Sequence, residues 1–275
     1  MTTNQQIGDF ALLNQDVKMP WLGLGVWKAS PGEAEQAVAS ALNAGYRSID
    51  TASAYNNEEG VGKAIAASSV PRDLLFVTTK VWNADQGYES TLKAFEESRR
   101  KLQLETVDLY LIHWPVKGKY KETWKALIHL QKEGLVRAIG VSNFQPHHLQ
   151  DLEDSGVVPA VNQVEFHPLL QQTELRAYCR LHNIQLEAWS PLMQGNLDLP
   201  LLSELAEKYG KSPAQIVLRW DLQHGVVTIP KSVTKHRIEE NAGIFDFALS
   251  DEDMTRIDGL NQNKRFGPDP DNFNF

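Results

Sequence analysis

Cysteine is nearly absent. Cys179 is the only one, so the chain can hold no internal disulfide and no cysteine-based metal site. It lies in Glu174 to His182, which reads as a helix, and a buried, inert thiol is expected there. No apolar run approaches the ~18 residues of a membrane span. Met1 to Leu13 lacks a basic-then-apolar pattern, so no signal peptide is expected and the cytoplasm is the default compartment. Positive charge is in deficit: 27 Lys and Arg stand against 35 Asp and Glu, a net −8. That balance argues against a nucleic acid or an anionic membrane surface as partner. Phosphate-binding glycine loops are missing as well. Gly23-Leu24-Gly25 begins like a dinucleotide loop, but Lys28 stands where the third glycine belongs. Gly60-Val61-Gly62 fails likewise at Ile65 and reads as a turn or a helix-packing feature. Gly210-Lys211-Ser212 resembles the end of a P-loop, yet Leu205 occupies the first glycine position, so it reads as a helix cap and turn. His147-His148 lack helical metal-ligand spacing and read as solvated surface, and no metal site is expected.

What the chain does have is alternation. Short apolar runs at Trp21–Leu24, Arg47–Ile49, Leu75–Val81, Val107–Ile112, Val136–Val141, Ala160–Val164, Gln185–Ala188 and Val226–Ile229 read as strands. Between them lie helical patterns at Gly32–Ala44, Glu58–Ala67, Tyr88–Leu102, Lys121–Lys132, Pro146–Asp154, Thr173–His182, Leu201–Tyr209 and Lys235–Asn241. Alternating strand and helix implies parallel strands with right-handed crossovers. Eight repeats in 275 residues, with no linker, predict one α/β domain over 1–275: a (β/α)8 TIM barrel. An open doubly wound sheet is the second choice, weakened by the missing glycine fingerprint. Phe10–Leu13 and Val17–Met19, across Asn14-Gln15-Asp16, predict an N-terminal β-hairpin. Ser250 to Leu260 predicts an extra C-terminal helix with Ser250 as N-cap and Asp253 close to a capping box.

Barrel active sites sit at the carboxyl ends of the strands. Asp50, Lys80 and His113 each end or follow a predicted strand, and Tyr55 comes five residues after Asp50 in a turn-like stretch. Singly each has an ordinary explanation: a strand cap, a loop aromatic, an exposed amine, a core histidine. Together they make a proton-transfer site. A phenol has a reference pKa of about 10. A neighbouring ammonium lowers it, and a carboxylate beyond holds the ammonium charged. Further along, Lys231-Ser232-Val233-Thr234 and Arg237 lie after the eighth strand, where barrels bind phosphate.

Several segments carry a family resemblance. Asp50 to Gly62 reads D-T-A-S-A-Y-N-N-E-E-G-V-G, Leu109 to Pro115 reads L-Y-L-I-H-W-P, and Gly140 to Phe144 reads G-V-S-N-F. Asn162 to Pro168 reads N-Q-V-E-F-H-P, and Ile229 to Asn241 reads I-P-K-S-V-T-K-H-R-I-E-E-N. In this order they resemble the aldo-keto reductases, above all the bacterial branch with 2,5-diketo-D-gluconate reductases and glyoxal or methylglyoxal reductases. The resemblance implies an NADPH-dependent oxidoreductase that reduces aldehydes and ketones to alcohols. Tyr55 would be the general acid, Lys80 paired to Asp50 would lower its pKa, and His113 would orient the carbonyl oxygen. It also implies that Lys231, Ser232 and Arg237 meet the 2′-phosphate, that Val233 belongs to the cofactor site, and that Glu240 and Asn241 meet the adenine side. Trp189, where many relatives have tyrosine, would stack on the nicotinamide beside Ser190. Ser142, Asn143 and Gln163 would contact its carboxamide, and Trp27, Trp82 and Trp114 would form a substrate cup.

The loop after His113 is short, which predicts an open pocket and broad acceptance of small carbonyls. The tail from Arg265 to Phe275 either covers the pocket rim or is frayed. The expected partner is a small-molecule carbonyl compound, and the chain is expected to act as a monomer. Three other readings stay open. One is a specialised 2,5-diketo-D-gluconate reductase, and one a cofactor-binding relative without turnover. The third is a retaining glycosidase, which needs two carboxylates ~5–5.5 Å apart; Glu165 and Glu187 are its candidates.

Overall fold

The computed structural model of the protein describes residues 6–14 and 16–275. Gln15, in the predicted hairpin turn, lies outside the described residues. The hairpin itself is present: β1 (Phe10–Leu12) pairs antiparallel with β2 (Lys18–Pro20), Ala11 opposite Met19. The barrel strands follow. They are β3 (Gly23–Gly25), β4 (Ser48–Asp50), β5 (Phe76–Val81), β6 (Val107–Ile112), β7 (Val136–Ser142), β8 (Val161–Glu165), β9 (Gln185–Trp189) and β10 (Val227–Thr228). Each pairs parallel with the next, from β3 to β10. Isolated parallel bridges from Leu22 to Thr228 and from Gly25 to Lys231 join the first strand to the last and close the cylinder. Every residue of β5 and β6 is buried, as expected for strands with the barrel interior on one side and helices on the other.

The helices are α1 (Pro31–Asn43), α2 (Glu58–Ala67), α3 (Tyr88–Leu102), α4 (Tyr120–Lys132), α5 (Pro146–Gln150), α6 (Thr173–Leu181), α7 (Pro200–Tyr209), α8 (Pro213–Gln223), α9 (Lys235–Ala242) and α10 (Asp251–Asp258). α1 starts at a complete capping box, with Ser30 and Glu33 exchanging bonds and Pro31 in the first turn. Gly60 and Gly62 on α2 are close-approach positions. A Cβ on Gly60 would meet the Pro31 carbonyl oxygen at 2.0 Å, and one on Gly62 the Leu102 carbonyl oxygen at 2.6 Å. The pair therefore serves helix packing.

One helix departs from the sequence reading. α8 has no counterpart among the predicted helices, and its residues from Gln215 to Leu222 are all buried. Its polar residues Gln215, Arg219 and Gln223 do recur every four residues, but they turn away from solvent and bond the carbonyls of Glu240, Ile244 and Leu249. Its signal lay at its start: Ser212 and Gln215 form a capping box before Pro213. α8 packs on β10, while α7 leans on α10 outside the barrel. Lys208 and Tyr209 both reach Asp253 Oδ2, at 2.7 and 2.5 Å. The α5 region is also shorter than predicted, breaking into a 3-10 turn at Glu153–Ser155.

The hairpin plugs the barrel's amino end. Ala11, Leu13, Val17 and Met19 pack in one cluster with Leu109, Leu111, Val161 and Val227 from the strands. The opposite mouth is left for chemistry.

Candidate active site

Asp50 ends β4, and the chain then turns through a short 3-10 segment, Ser53–Tyr55. Ser53 Oγ donates to the Lys80 carbonyl at 2.9 Å and ties that turn to β5. Asn57, fully buried, donates to the Val26 and Ala29 carbonyls at 2.9 and 3.0 Å and so fixes the loop against its neighbour. Lys80 points into the mouth, wholly buried. Its ammonium donates to Asp50 Oδ1 at 2.6 Å, to the Thr51 carbonyl at 2.9 Å and to Tyr55 Oη at 3.4 Å. Three protons meet three acceptors, which satisfies a lysine completely. Burial is the largest influence and opposes the Lys80 charge, but the Asp50 charge and hydrogen bond, together with Tyr55 and Glu187, outweigh it and hold the ammonium above its ordinary range.

Tyr55 corrects an expectation. Burial pushes its phenol above 10, and the pull of Lys80 only reduces that rise. The lysine is where the sequence placed it; desolvation of the phenolate is the larger effect. His113 follows β6 and lies edge-on to Tyr55, with ring centroids 5.7 Å apart, and to Trp82 at 5.1 Å. Burial, then the charge of Lys80, drives its pKa well below 6.5, so the imidazole is neutral at neutral pH. Its Nδ1 is buried without a partner among the described residues.

A second hydrogen-bond chain joins this group from the far side of the barrel. Trp189 Nε1 donates to Asn143 Oδ1 at 2.8 Å, and Asn143 Nδ2 donates to the His113 carbonyl at 3.0 Å. Ser142 Oγ donates to the Gln163 carbonyl at 2.8 Å. Gln163 Nε2 then donates to Asp50 Oδ2 at 2.7 Å and to Glu187 Oε2 at 2.8 Å. Asn143 and Ser190 both hold positive φ, 65° and 52°, at the ends of β7 and β9. Backbone strain of this kind gathers at functional mouths.

The phosphate region lies just past the seam. Lys231, Val233 and Arg237 are exposed, Ser232 is buried, Glu240 is half-buried and Asn241 is buried. Among the described residues neither Lys231 nor Arg237 has a carboxylate within ion-pair distance. α9 begins beside them with no acidic residue in its first turn and no side-chain cap. Free cations beside free helix N–H groups fit a phosphate. Trp189 offers a flat ring held at its nitrogen, with the Gly267 backbone so near that a Cβ there would lie 2.3 Å from the indole.

The tail is docked. Glu165 accepts the N–H groups of Phe266 and Gly267 at 2.7 and 3.1 Å. Phe275 stacks on Trp82 at 5.9 Å and meets Trp114 edge-on at 5.3 Å, and Phe273 lies 5.2 Å from Trp114. Two of the three predicted cup tryptophans thus share a wall with the tail aromatics. Trp27 stands apart, 46% exposed, with Lys28 Nζ over its ring at 4.2 Å. Asp271 reaches His147 Nε2 at 2.9 Å and His148 Nε2 at 3.5 Å. His148 is therefore not the solvated residue expected: it is buried, and its Nδ1 accepts the Gln145 N–H at 3.1 Å to cap α5. That bond leaves the ring proton on Nε2, facing Asp271, so the trio clasps the tail. The glycosidase candidates are otherwise engaged, Glu165 by the tail and by His167 at 3.1 Å, and Glu187 beneath Gln163.

The barrel is that of an oxidoreductase class, and the chain belongs to the aldo/keto reductase family, whose sequence profile matches residues 21–262. The family uses NADPH. The chain is 62% identical over 270 residues to a glyoxal reductase of Bacillus subtilis (strain 168), covering 97% of this chain and 98% of that one. It is 57% identical over 261 residues to the methylglyoxal reductase DkgA of Salmonella typhimurium (strain LT2), covering 93% and 94%. A crystal structure of a Gox0644 mutant in complex with NADPH superposes with TM-score 0.93 at 46% identity, covering 97% and 98%.

Proposed function

We propose that this chain reduces small reactive carbonyls, methylglyoxal and glyoxal among them, to alcohols with NADPH, residues 1–275 acting as one barrel domain. The observation that carries the reading is the Tyr55 hydroxyl resting on a buried, charged Lys80 beside a neutral His113. The substrate class rests on the names of the relatives above and on the short, aromatic mouth. A dedicated 2,5-diketo-D-gluconate reductase, or a relative without turnover, has less support: the relatives carry glyoxal and methylglyoxal reductase names, and all four residue types are assembled.

When bound, NADPH supplies the hydride to the carbonyl carbon. The chain's own residues manage the oxygen. Tyr55 donates its proton to the oxygen as negative charge develops there. Its high pKa keeps that proton in place across the neutral range. Lys80 stabilises the phenolate left behind, and Asp50 keeps Lys80 charged and aimed. Neutral His113 offers an N–H to the same oxygen and sets its direction. Ser142, Asn143 and Gln163 hold the carboxamide of the cofactor, and Trp189, beside Ser190, gives its ring a platform. Lys231, Ser232 and Arg237 grip the 2′-phosphate, Val233 lines the cofactor site beside them, and Glu240 and Asn241 lie toward the adenine. Trp82 and Trp114, with Phe275, wall the substrate, and Trp27 stands at the outer rim.

The test is NADPH oxidation with methylglyoxal by the purified protein and by Tyr55→Phe. Loss of a positioned acid lowers kcat by ~10²-fold or more, while NADPH affinity is retained. Near-wild-type turnover in Tyr55→Phe would overturn the assignment.

A further inference from the structure

Glu187 is a buried carboxyl group beneath the site that the mechanism above leaves unused. It sits on β9, wholly buried, facing the barrel interior. Gln163 stands opposite it in register on β8. The amide nitrogen of Gln163 has two protons, and both go to carboxyl oxygens: one to Asp50 and one to Glu187. The nitrogen is thus spent, and the amide can present only its oxygen to a ligand. Glu187 Oε1 finds no partner among the described residues. A continuous line of contacts therefore runs from Glu187 through Gln163, Asp50 and Lys80 to the Tyr55 hydroxyl.

We propose that Glu187 is a positioning residue of the reductase site: it fixes the Gln163 amide, and its charge state tunes the support that Lys80 gives Tyr55. The inference rests on the tetrad reading above and extends it to a fifth residue. The charged and titratable groups that act on Glu187 are Asp50 from β4 and Lys80 from β5, and Tyr55 feels it in turn. β8 faces it with uncharged Gln163, and β10 pairs with it through Val227.

Burial, then the nearby Asp50 charge, raises the Glu187 carboxyl to about 8. Below that pH it is a neutral acid, accepting the Gln163 N–H on one oxygen and carrying its proton on the other. Above it a second negative charge enters the barrel. That charge competes with the developing phenolate for Lys80 and makes Tyr55 a weaker acid. Reduction should therefore slow as pH rises through the Glu187 value, by roughly threefold to tenfold for a shift of up to one pKa unit.

Glu187→Gln separates charge from geometry, since its amide oxygen still accepts the Gln163 N–H. The expected result is wild-type-like kcat and NADPH affinity near neutral pH, with the alkaline fall in kcat lost or moved upward. Infrared difference spectra between about pH 6 and about pH 10 give a readout independent of turnover. A protonated-carboxyl band that disappears with rising pH in wild type should be absent in Glu187→Gln. Superimposable pH–kcat profiles would overturn the proposal, and so would a uniform loss at every pH, which marks a merely structural role. Tyr55→Phe is assayed alongside. If it keeps its turnover, the tetrad reading fails. If it is inactive while Glu187→Gln titrates like wild type, only the role of Glu187 fails.

Discussion

Lys80 gives each of its protons a partner and has no water to turn to. Such a residue is stable only with Asp50 in place, because an ion pair in the interior is costly to halve. Lys80→Met should therefore destabilise the fold by about 3–5 kcal/mol, as Asp50 loses its cationic partner and keeps only the Gln163 N–H. The double variant Asp50→Asn with Lys80→Met should recover part of that loss, since neither half remains charged. Chemical denaturation of the two variants decides it. A double variant no more stable than the single would show that the pair is not the source of the cost. The four residue types and their order were legible in the sequence, because three lie at strand ends and Tyr55 lies in the turn that follows the first of them. The balance of forces on Tyr55 was not. Sequence places a lysine near a tyrosine, but only packing tells how dry the phenol is, and dryness decides the direction.

At the scale of elements, α9 is the piece whose job can be isolated. Its first turn has no acid and holds Arg237, and Lys231 lies just before it; among the described residues neither cation has an ion-pair partner. NADPH and NADH differ by one phosphate, so a residue that reads it must affect one and spare the other. Losing a hydrogen bond to a charged partner costs about 1.5–3 kcal/mol, roughly tenfold to a hundredfold in Kd. Arg237→Ala should weaken NADPH by that factor, leave NADH nearly unchanged, and lose its effect as salt rises. Tryptophan fluorescence titrations measure all three. Equal losses for both cofactors would assign Arg237 to the fold or the pyrophosphate instead. Elements with a polar face were readable from sequence, and so was the hairpin. α8 was not, because no local pattern announces that its polar residues Gln215, Arg219 and Gln223 face carbonyls of other segments and not water. The docking of the tail was not legible either. It depends on Glu165 meeting two N–H groups about a hundred residues away in sequence, and on aromatic contacts that no local pattern announces.

Over the whole molecule, the two ends of the barrel divide the labour. The hairpin fills the amino end with apolar side chains, and the carboxyl end carries the polar network. Stability and activity should then separate by position. Met19 is fully buried in the plug. Met19→Ala should cost about 2–5 kcal/mol and leave kcat/KM with methylglyoxal unchanged in the folded protein. Thermal melts and steady-state kinetics on one preparation check this. A fall in kcat/KM at a temperature where the variant is fully folded would mean that the plug shapes the mouth from a distance.

The seam between β3 and β10 also orders events during synthesis. Gly25 meets Lys231 across about 200 residues of chain. At ribosomal speeds of about 5–20 residues per second, the first strand waits on the order of ten seconds or more for its partner. Throughout that wait its free edge is open to mispairing and to chaperones. Asp50, Tyr55, Lys80 and His113 emerge early, whereas Lys231 and Arg237 follow directly on the closing strand. A nascent chain would thus present the four clustered residues well before Lys231 and Arg237, and the cylinder can close only as those two cations emerge.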